Sequence, residues 1–250
     1  MAMDLTVTGW ILAGLAALVV GFTKTGITGV GILAVVLMAE ACQARQSVGV
    51  LLPMLIVADV FAIGFYRRHA SWPHLVRLLP WVAPGLAAGF VALETVPRDA
   101  TFGQVLGGMV LAVLALHLAR TLKGGEFLEK VPRQIWFTAA TGLLAGFFTA
   151  FANAAGAIMS AYVLSMGFDK RRFMGTIAWY FFIVNLVKVP ALVGMALIRP
   201  DTLLFNAKLV PLIVVGALVG PLFLKVVPQK VFNGAIFVLA AAGAVRLLVG

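Results

Sequence analysis

Residues 21–31 read GFTKTGITGVG, and residues 146–156 read GFFTAFANAAG. The two stretches lie half of the 250-residue chain apart. Each follows an apolar run and precedes another, and each is too rich in Gly, Thr, Asn and other small residues for an ordinary helix interior. The first carries Lys24, with no other formal charge between Asp4 and Glu40. In a membrane protein, a polar Gly-rich break between apolar helices is a way to build a solute site. Half-helix N-termini aim free N–H groups at an anion, and irregular backbone is tolerated where it faces protein or a cavity. The rest of the chain reads as scaffold around the two breaks.

Composition sets the class. The chain is 62% hydrophobic and 11% charged, with a mean hydropathy of +1.08, against roughly a quarter charged residues in a soluble domain. Apolar runs of membrane-spanning length recur from end to end, so the expectation is an all-α polytopic protein of the cytoplasmic membrane, with the lipid bilayer as its surroundings. The alternation of a membrane β-barrel is absent from the sequence. The net charge of +10 sits in short basic clusters between apolar runs, the pattern of cytoplasmic loops rather than of nucleic-acid binding. The single cysteine, Cys42, excludes an internal disulfide, and the three histidines have no metal-ligand spacing. The N-terminus lacks a basic region and a cleavage site, so the first helix is expected to stay in the protein.

In chain order, residues 5–22 and 27–39 form the two limbs of a bent element. Helices are expected at 47–66, 72–93 and 102–118, with Pro53, Pro80 and Pro84 inside them. Residues 120–133, RTLKGGEFLEKVPR, read as a linker. The pattern then restarts, with limbs at 135–148 and 154–166 and helices at 173–197, 203–224 and 231–249. Gly49 aligns with Gly175 and Asp59 with Asn185; Pro80, Gly85, Gly89 and Val96-Pro97 align with Pro211, Gly216, Gly220 and Val227-Pro228. The chain is therefore expected to be two homologous halves, residues 1–125 and 126–250, each a broken or hairpin helix followed by three transmembrane helices.

Lysine and arginine placement bears on orientation. With five crossings per half the halves are inverted. One face then carries Arg67, Arg68, Arg77, Arg120, Lys123, Lys130, Arg133, Lys170, Arg171, Arg172, Lys225 and Lys230. The other carries Arg45, Arg98, Arg199, Lys208 and Arg246. Four crossings per half weakens the bias, so inverted repeats with both termini outside are the expectation.

Three ionisable residues fall inside apolar runs: Lys24, Asp59 and Lys188. Each costs about 2.5–3.5 kcal/mol on insertion scales, which makes it a functional candidate. Lys24 competes with a helix-cap role, Lys188 with snorkelling to an interface, and Asp59 with an ion pair to either lysine as against a coupling role. Two lysines against one acid, beside Thr23, Thr25, Thr28 and Asn153, make a site of positive potential suited to a small oxyanion. Gly26, Gly29 and Gly156 allow close backbone approach, with helix packing as their alternative. Asn185 occupies the repeat position of Asp59. No nucleophile–base pair, phosphate loop, cofactor motif or metal constellation occurs, so no enzyme chemistry is expected.

At its two Gly-rich breaks the sequence resembles the TauE/SafE family of sulfite exporters and related permeases, a family built from a duplicated half with a glycine-rich segment near the start of each copy. The resemblance implies transport of sulfite, thiosulfate, organosulfonates or small carboxylates, commonly outward. The expected function is thus a secondary transporter of a small sulfur oxyanion, sulfite first and by export, held by Lys24 and Lys188. The alternatives are a passive channel for small anions or a permease for the other substrates. A homodimer is left open.

Overall fold

The computed structural model describes residues 5–26, 31–96, 101–111 and 135–223, and five positions between 241 and 249. All regular structure among them is helical. The elements are α1 (Val7–Thr25), α2 (Gly31–Ala41), α3 (Ala44–Tyr66), α4 (Trp72–Thr95), α5 (Thr101–Leu111), α6 (Ile135–Ala152), α7 (Gly156–Ser165), α8 (Lys170–Gly194) and α9 (Pro200–Phe223). Six of these, α1, α3, α4, α6, α8 and α9, are long and apolar enough to cross a membrane. Their outer faces carry exposed Val7, Ile11, Leu15, Val60, Trp136, Leu204 and Leu222, apolar surface that water would disfavour and acyl chains accept.

Several boundaries differ from those expected. The first limb runs through Thr25, so Thr23, Lys24 and Thr25 form the last turn of α1. The second limb runs through Ala152. In α1, threonine hydroxyls bond to carbonyls of the preceding turn and so stay compatible with helix: Thr23 Oγ1 donates to Val20 O at 3.2 Å and Thr25 Oγ1 to Gly21 O at 3.3 Å. Helix α3 begins at Ala44, three residues earlier than its apolar pattern suggests. Helix α8 begins at Lys170, three residues before the expected start at 173, because the Asp169 carboxylate caps it by accepting from Arg172 N at 2.8 Å. The expected linker at 120–133, residues 112–118 of the last helix of the first half, most of the last helix of the second half, Thr28 and Gly29 lie outside the described residues.

Glycine-mediated contacts fix how the long helices run. A Cβ on Gly21 would lie 2.0 Å from Ile213 O, and one on Gly216 would lie 2.2 Å from Leu18 O, so α1 and α9 pack backbone to backbone and run parallel. Gly146 meets Val82 O at 2.3 Å and Gly85 meets Leu143 O at 2.2 Å, so α6 and α4 pack in the same way, also parallel. Helix α8 runs antiparallel to α3: Gly175 lies against Tyr66, Asn185 against Asp59, and Leu197 against Gly49. Helix α2 doubles back along α1, bringing Ala41 O to 3.1 Å from a Cβ on Gly9. One buried apolar cluster surrounds α1–α3 and receives Phe102, Leu106 and Val110 of α5. A second lies among α4, α6, α7 and α8.

Candidate substrate site

The two breaks meet in the interior. Helix α1 ends where α2 begins and α6 ends where α7 begins, and a cavity of about 60 Å³ lies between these four ends and α3 and α8. It is lined by Val20, Thr23 and Lys24 of α1, Gly31 and Ile32 of α2, Thr149 of α6, Asn153 in the second break, Gly156 and Ala157 of α7, and Phe181 and Asn185 of α8. Leu51 and Leu55 of α3 complete an apolar flank. Gly31 and Gly156 are the first residues of α2 and α7 and both line the cavity, so the positive dipole ends of two helices border one space. The volume admits a few waters or an anion of four or five heavy atoms.

The polar side chains form one chain of contacts. Lys24 Nζ lies 2.7 Å from Asp59 Oδ1, an ion pair whose angle falls short of a directed hydrogen bond, and 4.0 Å from the centre of the Phe181 ring. Asp59 Oδ2 accepts from Asn185 Nδ2 at 2.7 Å. Asn185 Oδ1 accepts from Lys188 Nζ at 3.2 Å, and the same ammonium donates to Thr149 Oγ1 at 3.2 Å and Asn153 Oδ1 at 2.5 Å. Asn153 Nδ2 donates to Val48 O at 2.9 Å. Asn153 has φ 55°, the left-handed conformation that ends α6; asparagine tolerates it better than most residues.

The expected site residues therefore divide. Lys24, Thr23, Asn153, Gly156 and Asn185 line the cavity. Four others, Thr25, Gly26, Lys188 and Asp59, do not. Thr25 donates its hydroxyl to Ala217 O at 2.7 Å on α9, and a Cβ on Gly26 would lie 3.0 Å from Gly220 O, so both serve the α1–α9 contact. Lys188 is fully buried and its three N–H groups are all engaged, which removes the snorkelling alternative and leaves no donor for a ligand in this arrangement. It holds the C-terminal end of α6, where a cation is also favoured by the helix dipole. Asp59 is paired with Lys24, as one of its two readings had it, and stands behind that lysine as seen from the cavity. Thr149 and Phe181 had not been singled out. Thr149 had a signal, since it holds the position in the second stretch that Lys24 holds in the first; Phe181 had none.

The model of the family described as "Sulfite exporter TauE/SafE" matches residues 13–247, and so spans both breaks. The chain belongs to this family. TauE/SafE proteins are membrane transporters and not enzymes, they reside in the plasma membrane, and their cargo is a small anion of the sulfite type. No curated protein and no solved structure matches the chain. Among the described residues, no group of His, Cys, Asp and Glu is arranged to hold a metal. The cavity is lined from α1, α2, α3, α6, α7 and α8, and Lys24 is the one basic side chain that lines it.

Proposed function

We propose that this TauE/SafE protein is a secondary transporter that exports a small sulfur oxyanion, sulfite first, and that the anion sits in the cavity between the two breaks. The observation that carries the reading is the Lys24 ammonium lining a space onto which the N-termini of α2 and α7 open. Lys24 supplies the charge. The N–H groups at Gly31 and Gly156, with the Thr149 hydroxyl, supply short-range donors, and the apolar flank of Leu51 and Leu55 excludes larger polar solutes.

The halves, residues 1–125 and 126–250, are proposed to be inverted repeats. Reciprocal contacts support this. Gly21 against Ile213 has its counterpart in Gly146 against Val82, and Gly216 against Leu18 in Gly85 against Leu143. Helix directions support it as well. From the contacts above, α1 and α3 point one way and their counterparts α6 and α8 the other, and α4 opposes its counterpart α9. Two bundles of this kind rocking about a central site give alternating access.

The test is thermal stabilisation of purified protein by sulfite, thiosulfate, sulfate, acetate and chloride, with Lys24→Met/Asp59→Asn as the charge-matched control. Stabilisation by sulfite or thiosulfate that is lost in the double variant is expected. No response to any sulfur oxyanion refutes the assignment. In proteoliposomes, saturable flux with counterflow is expected, whereas unsaturable flux identifies the channel alternative.

A further inference from the structure

The buried cluster beside the cavity does not sum to zero charge. Lys24 and Asp59 offset one another at 2.7 Å. Lys188 has no carboxylate partner among the described residues; its Nζ is surrounded by Thr149 Oγ1, Asn153 Oδ1 and Asn185 Oδ1. Both amide oxygens are fixed in that orientation by what their nitrogens do. Asn153 Nδ2 is used on Val48 O, and Asn185 Nδ2 on Asp59 Oδ2. Three oxygens then meet the three N–H groups of an ammonium. Lys24 is the one charged residue among those lining the cavity. With Lys24 and Lys188 as ammonium ions and Asp59 as a carboxylate, the cluster carries one excess positive charge inside the protein, where an unbalanced charge is disfavoured.

We propose that the site is charge-matched to a monoanion: one negative charge bound at Lys24 brings the cluster of Lys24, Asp59 and Lys188 to neutrality, so hydrogensulfite is the sulfur species bound. The inference rests on the reading of the cavity as the anion site. A dianion would convert an excess of one positive charge into an excess of one negative charge. Asp59 does not line the cavity but stands behind Lys24 as a fixed internal anion, which lowers by one the ligand charge the site can balance. It determines specificity through Lys24 without touching the ligand. Replacing it with asparagine, the residue at its repeat counterpart Asn185, raises the sum to two and makes a dianion the balanced ligand.

The experiment is calorimetric titration of the purified full chain with three probes: methanesulfonate, a fixed monoanion; thiosulfate, a fixed dianion; and total sulfite across mildly acid to mildly alkaline pH. Wild type is expected to favour methanesulfonate over thiosulfate. Its apparent affinity for sulfite should tighten toward acid in step with the hydrogensulfite fraction, while that for methanesulfonate stays flat. The flat control matters because Lys24, Asp59 and Lys188 are the groups whose own titration would otherwise mimic the effect. In Asp59→Asn the ratio of the two fixed probes should move toward thiosulfate by about tenfold or more, the effect of one unit charge a few ångströms away. Preference of wild type for thiosulfate, sulfite affinity that follows the dianion fraction, or an unmoved ratio in the variant overturns the charge count and leaves the anion site standing. Should Asp59→Asn not fold, the wild-type pH series decides alone. Failure of all three probes to bind overturns the site assignment, and the charge count with it.

Discussion

Removing Lys24 or Asp59 singly should damage the protein more than removing both. The two side chains are 10% and 0% exposed and 2.7 Å apart, so each charge is held in the interior by the other. Breaking a buried pair from one side leaves an uncompensated charge and costs about 3–5 kcal/mol. The two singles are not equivalent. Lys24→Met leaves the Asp59 carboxylate fully buried with the Asn185 amide as its hydrogen-bond partner; Lys188, the remaining cation of the cluster, lies across that amide with no direct bond to the carboxylate, so the loss should fall at the upper end of that range. Asp59→Asn leaves an ammonium that still borders the cavity and still faces the Phe181 ring, so water can reach it and the loss should be smaller. For a chain of 250 residues, about 2–4 °C in Tm accompanies each kcal/mol, so Lys24→Met should melt roughly 10–20 °C low. Lys24→Met/Asp59→Asn removes both charges, and its Tm should return to within a few degrees of wild type while sulfite binding stays lost. Thermal unfolding of the four proteins in one detergent closes the cycle. A double variant as unstable as the sum of the singles would show that the pair is not coupled, and the electrostatic account of the site would fall.

Two further outcomes follow from packing and backbone geometry. Gly21→Ala and Gly146→Ala place a Cβ 2.0 Å and 2.3 Å from backbone carbonyls of the facing helix and should each lower stability by about 1–3 kcal/mol; Gly64→Ala, with nothing within 4 Å, should be neutral or raise it by up to about 1 kcal/mol, all read by thermal unfolding. Asn153→Ala forces alanine to φ 55° and breaks the bonds to Val48 and Lys188, so a loss of about 2–4 kcal/mol is expected. Asn153→Gly, which relieves only the backbone strain, should recover about 1 kcal/mol of it.

The breaks were visible in the sequence because small residues and a charge interrupt long apolar runs twice at one spacing, and Lys24 was visible because an intramembrane lysine needs a reason. What escaped was set by partners distant in the chain. Thr25 carries the same local signal as Thr23, yet its hydroxyl goes to Ala217, 192 residues away, whereas Thr23 reaches the cavity. Nothing near Thr25 encodes that difference. Lys188 looked like a second anion ligand because its charge is legible and its acceptors are not: the left-handed turn at Asn153 and the orientation of Asn185 exist only once α6 and α8 pack. Helices α1 and α6 run past the limits their sequence suggests because glycine, a poor helix former in isolation, is retained where it admits a facing backbone, as at Gly21 and Gly146, and because in α1 threonine hydroxyls find carbonyls.

The proposed inversion makes a prediction about sidedness. The turn after α3 holds Arg67 and Arg68, and the turn after α8 holds Arg199 at the position related by the repeat. Two parallel repeats would put these turns on the same face of the membrane. In the packed helices they lie at opposite ends, because α8 runs against α3, with Gly175 at the Tyr66 end and Leu197 at the Gly49 end. Lys170, Arg171 and Arg172 open α8 at the same end as Arg67 and Arg68. Arg45 lies at the other end with Arg199, whose charge is paired with Asp201 at 3.0 Å. The end that holds Arg67, Arg68, Lys170, Arg171 and Arg172 is expected to be the cytoplasmic one. In a Cys42→Ser background, Arg68→Cys and Arg171→Cys should react with a membrane-impermeant maleimide only after the cells are opened, and Arg199→Cys should react in intact cells. Labelling of Arg68→Cys and Arg199→Cys from the same side would refute the inversion, and with it the alternating-access geometry built on two opposed halves.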